Sequence, residues 1–288
     1  MATSDPEPLV ALYEHPDLPR RTLPHALAAL YGGDLDFPDP CLYANFVSSI
    51  DGVVALGPHY PSSGSTISGR APADRFVMAL LRACAHAVIV GAGALRTSTD
   101  YRWLPDTACP ALSTEFAELR RSRKLPAEPE LIVVTGSGDL PIDHAAIQSG
   151  AVIATTTTGA ARLADRVPPT CTVLSLSDDP AVPLTALVDA LHARGHTAIL
   201  SEAGPRLAGQ LLKDALLDEL FLTVSPVLAG RDHTERDGLV AGLELLPELR
   251  ATGELVGTRR QASYLFLRYR LNDSANQVKV RGAGASRT

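Results

Sequence analysis

Short apolar segments alternate with amphipathic ones along most of this chain. Buried strands are predicted at 42–47, 87–90, 131–135, 151–155, 172–176 and 196–200. Apolar residues at helical spacing predict helices at 72–84, 114–121 and 183–193, and others that begin at 159 and at 205. Strands that alternate with helices through short connections typically form a parallel sheet covered on both faces. The pattern therefore predicts an α/β fold with a mostly parallel central sheet.

The two ends of the chain depart from this alternation. Residues 218–228 predict a strand stopped by Pro226, and 258–261 with 264–270 predict an antiparallel hairpin at the sheet edge. Residues 1–39 are rich in proline and predict an irregular N-terminal extension with one short helix at 24–31. We expect residues 40–272 to form one domain and the polar residues 273–288 to form a flexible tail.

A strand, a glycine turn and a helix follow one another at residues 196–212. Ser201 and Glu202 come directly after the strand, and Gly204 and Pro205 end the extended run. Glycine lets a ligand approach the backbone, and proline suits the first position of a helix. The unpaired N–H groups at such a helix start bind phosphate. By itself the signal is weak, because junctions of this kind are common.

A second glycine junction follows the strand at 87–90. Gly91, Ala92, Gly93 and Ala94 stand where that strand ends. Ligands of open α/β sheets lie outside the carboxyl ends of the strands, so the two junctions could line one crevice. Two junctions suit a dinucleotide better than a single phosphate. The third glycine of the G-x-G-x-x-G fingerprint is absent, which argues against the usual dehydrogenase fold.

Composition narrows the classes of function. The 288 residues are 45% hydrophobic and carry a net charge of −6, which argues against a nucleic-acid surface because phosphate binding needs a basic face. No apolar run has the length of a membrane span, and the N-terminus lacks the features of a signal peptide. We expect a cytoplasmic protein that binds a small-molecule substrate, with no nucleic-acid or membrane partner.

The cysteines and histidines predict no metal site. Cys41, Cys84, Cys109 and Cys171 are far apart in the sequence, and no histidine stands at metal-ligand spacing. Small core residues are the ordinary interpretation of such cysteines. The H-x-E and P-C-x-x-C elements of a zinc deaminase are also missing.

A loop and an acidic residue lie between the strand at 42–47 and the glycine junction at 91–94. Residues 52–72 contain many glycines and prolines, which predicts an irregular loop of the kind that often forms a lid. Asp74 falls in the first turn of the helix at 72–84, where the helix dipole favours a carboxylate. A second interpretation is that Asp74 reaches the cleft between helix and sheet, where it would bind an amino-pyrimidine edge.

Four segments together resemble one family. They are residues 45–52, residues 67–69 with the helix residues 80–83, residues 90–93, and residues 201–205 with 217–220. In this order they resemble the RibD C-terminal domain family, the dihydrofolate-reductase-like reductase domain of the bacterial riboflavin pathway. The resemblance covers about residues 40–272.

This resemblance implies a dihydrofolate-reductase-like sheet with helices on both faces, NADPH as the hydride donor, and a homodimer. The family's founding reaction reduces the ribose of 5-amino-6-(5-phosphoribosylamino)uracil to ribityl by hydride delivery to C1 of the opened sugar. The residues at the matching positions imply cofactor contacts by Val47, Gly91, Gly93, Ala94, Thr135, Gly204, Pro205, Arg206 and Leu207.

The same resemblance implies substrate contacts by Ser48, Asp51, Arg82, Arg102 and Glu202. Asp74 and Glu202 are the candidate catalytic residues. Simpler interpretations stay open for three of them. Asp51 before Gly52 is ordinary turn chemistry, Arg82 could be a solvated helix residue, and Glu202 could accept N–H groups of its own turn.

The chain also departs from the family. Ala94 replaces a threonine, and residues 98–102 stand where a D-D-P-x-L-T-x-R run is usual. The leading hypothesis is an NADPH-dependent reductase of the riboflavin-pathway pyrimidine. The second is a pterin or dihydrofolate reductase, in which Asp74 would hold the pteridine amino group. The third is a nucleotide-binding module without catalysis, supported by the missing acids.

Overall fold

The computed structural model describes residues 5–57, 60, 62–98, 100–232 and 236–271. These residues form ten strands: β1 Val10–Glu14, β2 Cys41–Ser48, β3 Ala87–Gly91, β4 Glu130–Thr135, β5 Val152–Thr155, β6 Thr172–Ser175, β7 Ala198–Ser201, β8 Glu219–Val224, β9 Gly253–Gln261 and β10 Tyr264–Leu271. The α-helices are α1 His25–Tyr31, α2 Ser63–Ile67, α3 Pro72–Cys84, α4 Ala92–Thr97, α5 Pro105–Ala108, α6 Ser113–Ser122, α7 Ala145–Gln148, α8 Thr157–Leu163, α9 Leu184–Ala193 and α10 Pro205–Lys213. Among these, no helix combines the length and apolar character needed to cross a bilayer.

All ten strands belong to one sheet, in the order β1-β9-β10-β8-β2-β7-β3-β4-β5-β6. The seven strands from β8 to β6 are parallel, and β10, β9 and β1 continue the sheet in antiparallel pairs. The predicted mostly parallel sheet and the antiparallel C-terminal hairpin are therefore both present. The parallel strands bring the segments that follow β2, β3, β4, β7 and β8 to one edge.

Helices cover both faces of the sheet, as the alternating pattern predicts. On one face, α3 packs Phe76, Val77 and Leu80 over the sheet residues Tyr43 and Phe221. On the other face, α9 and α10 pack against the residues of β2, β3 and β7 that point the opposite way. The strands are buried on both sides, and this explains their continuous apolar composition.

The N-terminal segment contributes more than an irregular extension. The helix predicted at 24–31 is present as α1, but β1 pairs with β9 and adds an unpredicted strand to the sheet edge. Leu9, Leu27 and Leu35 lie in the same core as α3. The missed strand is short and mostly exposed, so it lacks the alternation of buried and exposed residues that reveals a strand.

The loop between β2 and α3 is also more regular than its glycines and prolines predict. It contains α2, and Val53, Leu56 and Ile67 form a small apolar cluster with Val47. This local cluster stabilises a turn of helix that composition alone argues against. Whether the segment moves as a lid stays a prediction.

Helix α3 is the element that carries most of the candidate site. Pro72 occupies its first turn and Asp74 follows there. At the other end, Arg120 Nη1 donates to the carbonyls of Arg82, Ala83 and Ala85 at 3.2, 3.2 and 2.8 Å. These bonds satisfy carbonyl groups that a helix end leaves without partners. Arg120 thereby fixes the backbone from which Arg82 extends.

Candidate active site

A buried ion pair lies at the carboxyl end of β7. Glu202 follows the last residue of that strand, and its backbone N–H donates to Ile89 of β3 at 2.9 Å. Arg82 Nε and Nη2 donate to the two carboxylate oxygens of Glu202 at 2.8 and 2.6 Å. The Arg82 side chain is 1% exposed and that of Glu202 is 9% exposed. A bidentate pair of this kind fixes both the charge and the orientation of the carboxylate.

This burial contradicts the interpretation of Arg82 as a solvated residue. The loop residues Tyr101 and Leu104 lie over α3 and accept from Arg82 Nη1 at 2.7 and 3.2 Å, while Nη2 also contacts Met78 Sδ at 3.4 Å. A guanidinium has five N–H donors, and all five are used inside the chain. As the structure stands, Arg82 holds Glu202 and has no donor left for a substrate.

Asp74 lies in the first turn of α3, eight residues before Arg82, where the charge of Glu202 acts on it. Its carboxylate is half-buried and interacts with the hydroxyls of Ser68 and Thr223. Burial, and then the charge of Glu202, raise the pKa of Asp74 to about 6, although the two hydroxyls act in the opposite direction. Asp74 thus points towards the sheet, while its binding of an amino-pyrimidine edge stays a prediction. A pKa of about 6 lets this carboxyl group exchange its proton near neutral pH.

Three polar residues of this cleft have no role in the sequence-based prediction: Ser68, Tyr101 and Thr223. Thr223 could have been found, because it shares a face with the buried Glu219 and Phe221 in the alternating strand β8. Ser68 and Tyr101 lie in segments without periodicity, so the sequence contains no signal for their positions.

The glycine junctions form an open groove along the same edge of the sheet. A Cβ atom added to Gly91, Gly93 or Gly204 would meet no heavy atom within 4 Å. Gly204 is the N-cap of α10 and places no side chain over its first N–H groups. Beside it, the buried hydroxyl of Ser201 has no hydrogen-bond partner among the described residues. Pro205 has no N–H group and Leu207 N donates to the Gly204 carbonyl at 3.1 Å, so it is the open space at this helix start that fits a phosphate-bearing cofactor.

The predicted cofactor residues of α10 and Ala94 of α4 differ in their exposure. Pro205 is the first residue of α10, Arg206 beside it is exposed, and Leu207 is partly packed on the core. Ala94 is half-buried in α4, next to the groove.

Two further cofactor candidates end their strands. The hydroxyl of Thr135 accepts from Gly138 N at 3.2 Å and so shapes the turn after β4. Val47 packs with the small cluster under α2. Both lie at the carboxyl edge of the sheet, and their cofactor contacts stay predictions.

Asp51 has a structural partner for each of its oxygens. It accepts from Ser49 Oγ at 2.6 Å and from the backbone N–H groups of Ala229 and Gly230 at 3.0 and 2.8 Å. These hydrogen bonds lower the pKa of Asp51 to about 2. Asp51 therefore ties the turn after β2 to the loop after β8, which is the simpler of its two interpretations. Ser48 is the buried last residue of β2, and the alternation of that strand directs it to the face opposite α3.

Arg102 is not brought into the cleft. Its Nη2 donates to Glu128 at 2.6 Å, and it lines a separate cavity of about 240 Å³ with Glu130, Ala151 and Thr172. Those residues lie at the amino ends of β4, β5 and β6, which is the opposite edge of the sheet. Arg102 is therefore not grouped with Glu202 and Asp74, and its substrate contact stays a prediction. Sequence order alone does not show where a loop crosses the sheet.

The chain matches one family over most of its length. A sequence profile of the RibD C-terminal domain matches residues 40–253. No curated protein sequence matches the chain.

Solved structures extend this comparison. A pyrimidine reductase-like protein from Corynebacterium diphtheriae is 21% identical, with a TM-score of 0.56 over 81% of this chain and 92% of that one. RibD from Acinetobacter baumannii is 19% identical, with a TM-score of 0.58 over 85% of this chain and 60% of that one. The riboflavin biosynthesis reductase of Saccharomyces cerevisiae is 15% identical, with a TM-score of 0.52 over 87% and 96%. At these identities the likeness shows the fold, and it confirms the dihydrofolate-reductase-like α/β class. By its matching profile, this chain belongs to the RibD C-terminal domain family.

Proposed function

We propose that this protein is an NADPH-dependent reductase whose substrate carries an amino-pyrimidine ring. The observation that carries the proposal is the half-buried carboxyl group of Asp74, which has a pKa of about 6, contacts Ser68 and Thr223, and is influenced by the charge of Glu202. Family membership supports reduction as the chemistry. The open glycine groove at the same edge supports a dinucleotide as the partner of that cleft.

The residues of the groove would hold the cofactor. Gly91, Gly93 and Gly204 leave room for it against the backbone, and the positive end of the α10 dipole would face a phosphate. When bound, NADPH supplies the hydride. NADPH rather than NADH is proposed from the family resemblance.

Asp74 and Glu202 would have separate roles in this reaction. Reduction of a C=N or C=O group needs one proton for each hydride, and Asp74 holds a proton in the required pH range. Glu202 is paired with Arg82 and remains an acceptor for N–H groups of the substrate. The cleft thus offers one group that moves a proton and one fixed anion.

The first candidate substrate is 5-amino-6-(5-phosphoribosylamino)uracil, as in the riboflavin pathway. The C. diphtheriae protein and the A. baumannii RibD are the comparisons that support it. A pterin or dihydrofolate is the second candidate, and the position of Asp74 favours it. A carboxylate at the start of α3, flanked by the hydroxyls of Ser68 and Thr223, suits an N–C–NH₂ edge, which donates two parallel hydrogen bonds.

Turnover decides between these substrates. Oxidation of NADPH by the purified protein is followed with the phosphoribosylamino-uracil and with dihydrofolate in parallel, and with no substrate as the control. Oxidation with the uracil alone establishes the first candidate, and oxidation with dihydrofolate alone establishes the second. Tight NADPH binding without oxidation in either assay contradicts a reductase and favours the nucleotide-binding module.

A further inference from the structure

The segment 101–104 contacts both Arg82 and the cavity at the amino edge of the sheet. Tyr101 Oη and the carbonyl oxygen of Leu104 accept from Arg82 Nη1 at 2.7 and 3.2 Å. The same segment contributes Arg102, Trp103 and Leu104 to the lining of the cavity of about 240 Å³. The segment that holds Arg82 is therefore also a wall of this cavity.

The cavity has a buried apolar part and a more exposed charged part. Trp103 and Leu104 are 7% and 8% exposed, whereas the side chains of Arg102 and Glu128 are 36% and 53% exposed. Ligand sites commonly combine apolar walls with a few polar groups in this way. The volume equals that of about eight waters at liquid density, which suits a single small ring better than a nucleotide.

The charged groups of the lining largely cancel one another. Arg102 Nη2 donates to Glu128 Oε2 at 2.6 Å, while Glu130 accepts from Arg194 at 2.6 and 3.2 Å and contacts His196 Nε2 at 2.6 Å. Within the described part of the chain, Arg102 Nε and Nη1 and Glu128 Oε1 have no partner. The cavity therefore offers donors and an acceptor to a ligand, with little net charge.

A neutral cyclic amide has the matching chemistry. Its carbonyl groups accept from Arg102, its N–H groups donate to Glu128, and its ring lies against the apolar part of the cavity. An anion would meet the charge of Glu128 and a cation that of Arg102, so a charged ligand would lose much of what it gains. A neutral ring avoids this loss.

We propose that this cavity is a second small-molecule site, which binds a neutral monocyclic amide and steadies the segment 101–104 that holds Arg82. The site lies at the edge of the sheet opposite Asp74 and Glu202 and does not depend on the reaction proposed for them. Its occupant reaches the Arg82–Glu202 pair only through the shared segment.

Trp103 is the single tryptophan of the chain, so its fluorescence reports binding at this cavity. The probe is dihydrouracil, a small neutral ring with carbonyl and N–H groups, and β-alanine is a zwitterion of similar size. We expect a Kd of about 0.1–1 mM for dihydrouracil, as for a ligand of this size, and binding of β-alanine at least about tenfold weaker. Equal or tighter binding of β-alanine contradicts a neutral ligand. A signal that does not saturate below about 10 mM dihydrouracil overturns the site.

Arg102→Met removes the donors and keeps a side chain of similar length. We expect it to weaken dihydrouracil binding about tenfold or more, as for a lost hydrogen bond to a charged group. Glu128→Met should have the same effect from the other side of the ion pair. Because both residues are partly exposed, neither change should lower the thermal unfolding temperature by more than a few degrees. Arg121→Met, on the exposed side of α6, is the matched control and should leave the Kd unchanged.

Asp74→Asn separates this site from the reaction cleft. We expect it to bind dihydrouracil as the wild type does. If Asp74→Asn weakens binding and the changes at Arg102 and Glu128 do not, the ring occupies the reaction cleft and the proposal fails. These measurements need no turnover, so a failed reductase assay does not decide them.

Hydrogen exchange of the backbone amides of residues 101–104 tests whether the ligand steadies the segment. At about ten times its Kd, a ligand favours the closed state about tenfold. We therefore expect exchange in the wild type to slow by up to about tenfold with dihydrouracil, and to stay unchanged in Arg102→Met at the same concentration. Binding without slower exchange would refute the link between the cavity and the segment that holds Arg82.

Discussion

Replacing Asp74 with asparagine is expected to lower kcat/KM by about 100- to 10,000-fold, the usual contribution of a general acid. Asparagine has the size and the hydrogen-bonding groups to remain between Ser68 and Thr223, but it carries no proton to transfer. The affinity for NADPH should stay within about threefold of the wild type, because other residues form the glycine groove proposed to bind it. Loss of activity without loss of cofactor binding is the result that assigns the proton to Asp74.

The same substitution is expected to stabilise the fold at alkaline pH. Burial raises the pKa of Asp74 from 3.8 to about 6, so the folded protein binds this proton more tightly than the unfolded chain does. Above pH 6 the charged carboxylate destabilises the fold, and this penalty fades as the pH falls from 6 to below 4, where both states become protonated. Asp74→Asn should therefore gain about 1–3 kcal/mol at pH 8, since one unit of pKa corresponds to about 1.4 kcal/mol, and gain less than about 1 kcal/mol at pH 4.

Urea unfolding at the two pH values measures this gain. Asp189→Asn, on the exposed side of α9, is the control for the loss of a charge at a solvated site. An Asp74→Asn variant that is active, or one that is destabilised equally at pH 4 and pH 8, would show that Asp74 is an ordinary first-turn helix residue.

Replacing Gly204 with threonine is expected to weaken NADPH binding by about 100-fold while the fold keeps its stability. The added atoms enter space that no atom of the protein occupies within 4 Å. Gly204 has a φ of −68°, which any residue adopts, and it caps α10, where threonine is also a good cap. The substitution therefore costs little in the free protein. It would fill the open space in front of the first turn of the helix.

Fluorescence titration with NADPH and a thermal unfolding scan measure the two effects. Ala127→Thr, in the exposed loop before β4, adds a similar side chain away from the groove and should change neither value. Unchanged NADPH affinity in Gly204→Thr would contradict the placement of the cofactor along this groove. A lower unfolding temperature would show that the glycine is needed by the fold.

Much of the fold could be predicted because the strands carry their own signal. The apolar runs of β3, β4 and β5 are buried on both faces, and the glycines that follow β3 and β7 mark where those strands end. Periodicity also identifies the buried side of α3. It could not reveal that loop residues cover the polar side of α3 as well, which is why Arg82 is buried rather than solvated.

The candidate site was harder to predict because loops bring some of its polar side chains into place. Glu202 and Asp74 could be singled out, since one follows a strand and the other begins a helix at the same edge. Arg102 and Tyr101 are neighbours in sequence, yet one lies in a cavity at the opposite edge and the other contacts Arg82. No periodicity distinguishes these two residues, so their roles required the structure.

In the proposed reaction, the carboxyl group of Asp74 supplies the proton that accompanies hydride transfer. The pH dependence of kcat/KM between pH 5 and pH 8, with the amino-pyrimidine substrate that is reduced, tests it most directly. We expect kcat/KM to be level at low pH and to fall about tenfold per unit above a pKa of about 6, as Asp74 loses its proton. A profile that is level across this range, or that rises with pH, would contradict the account.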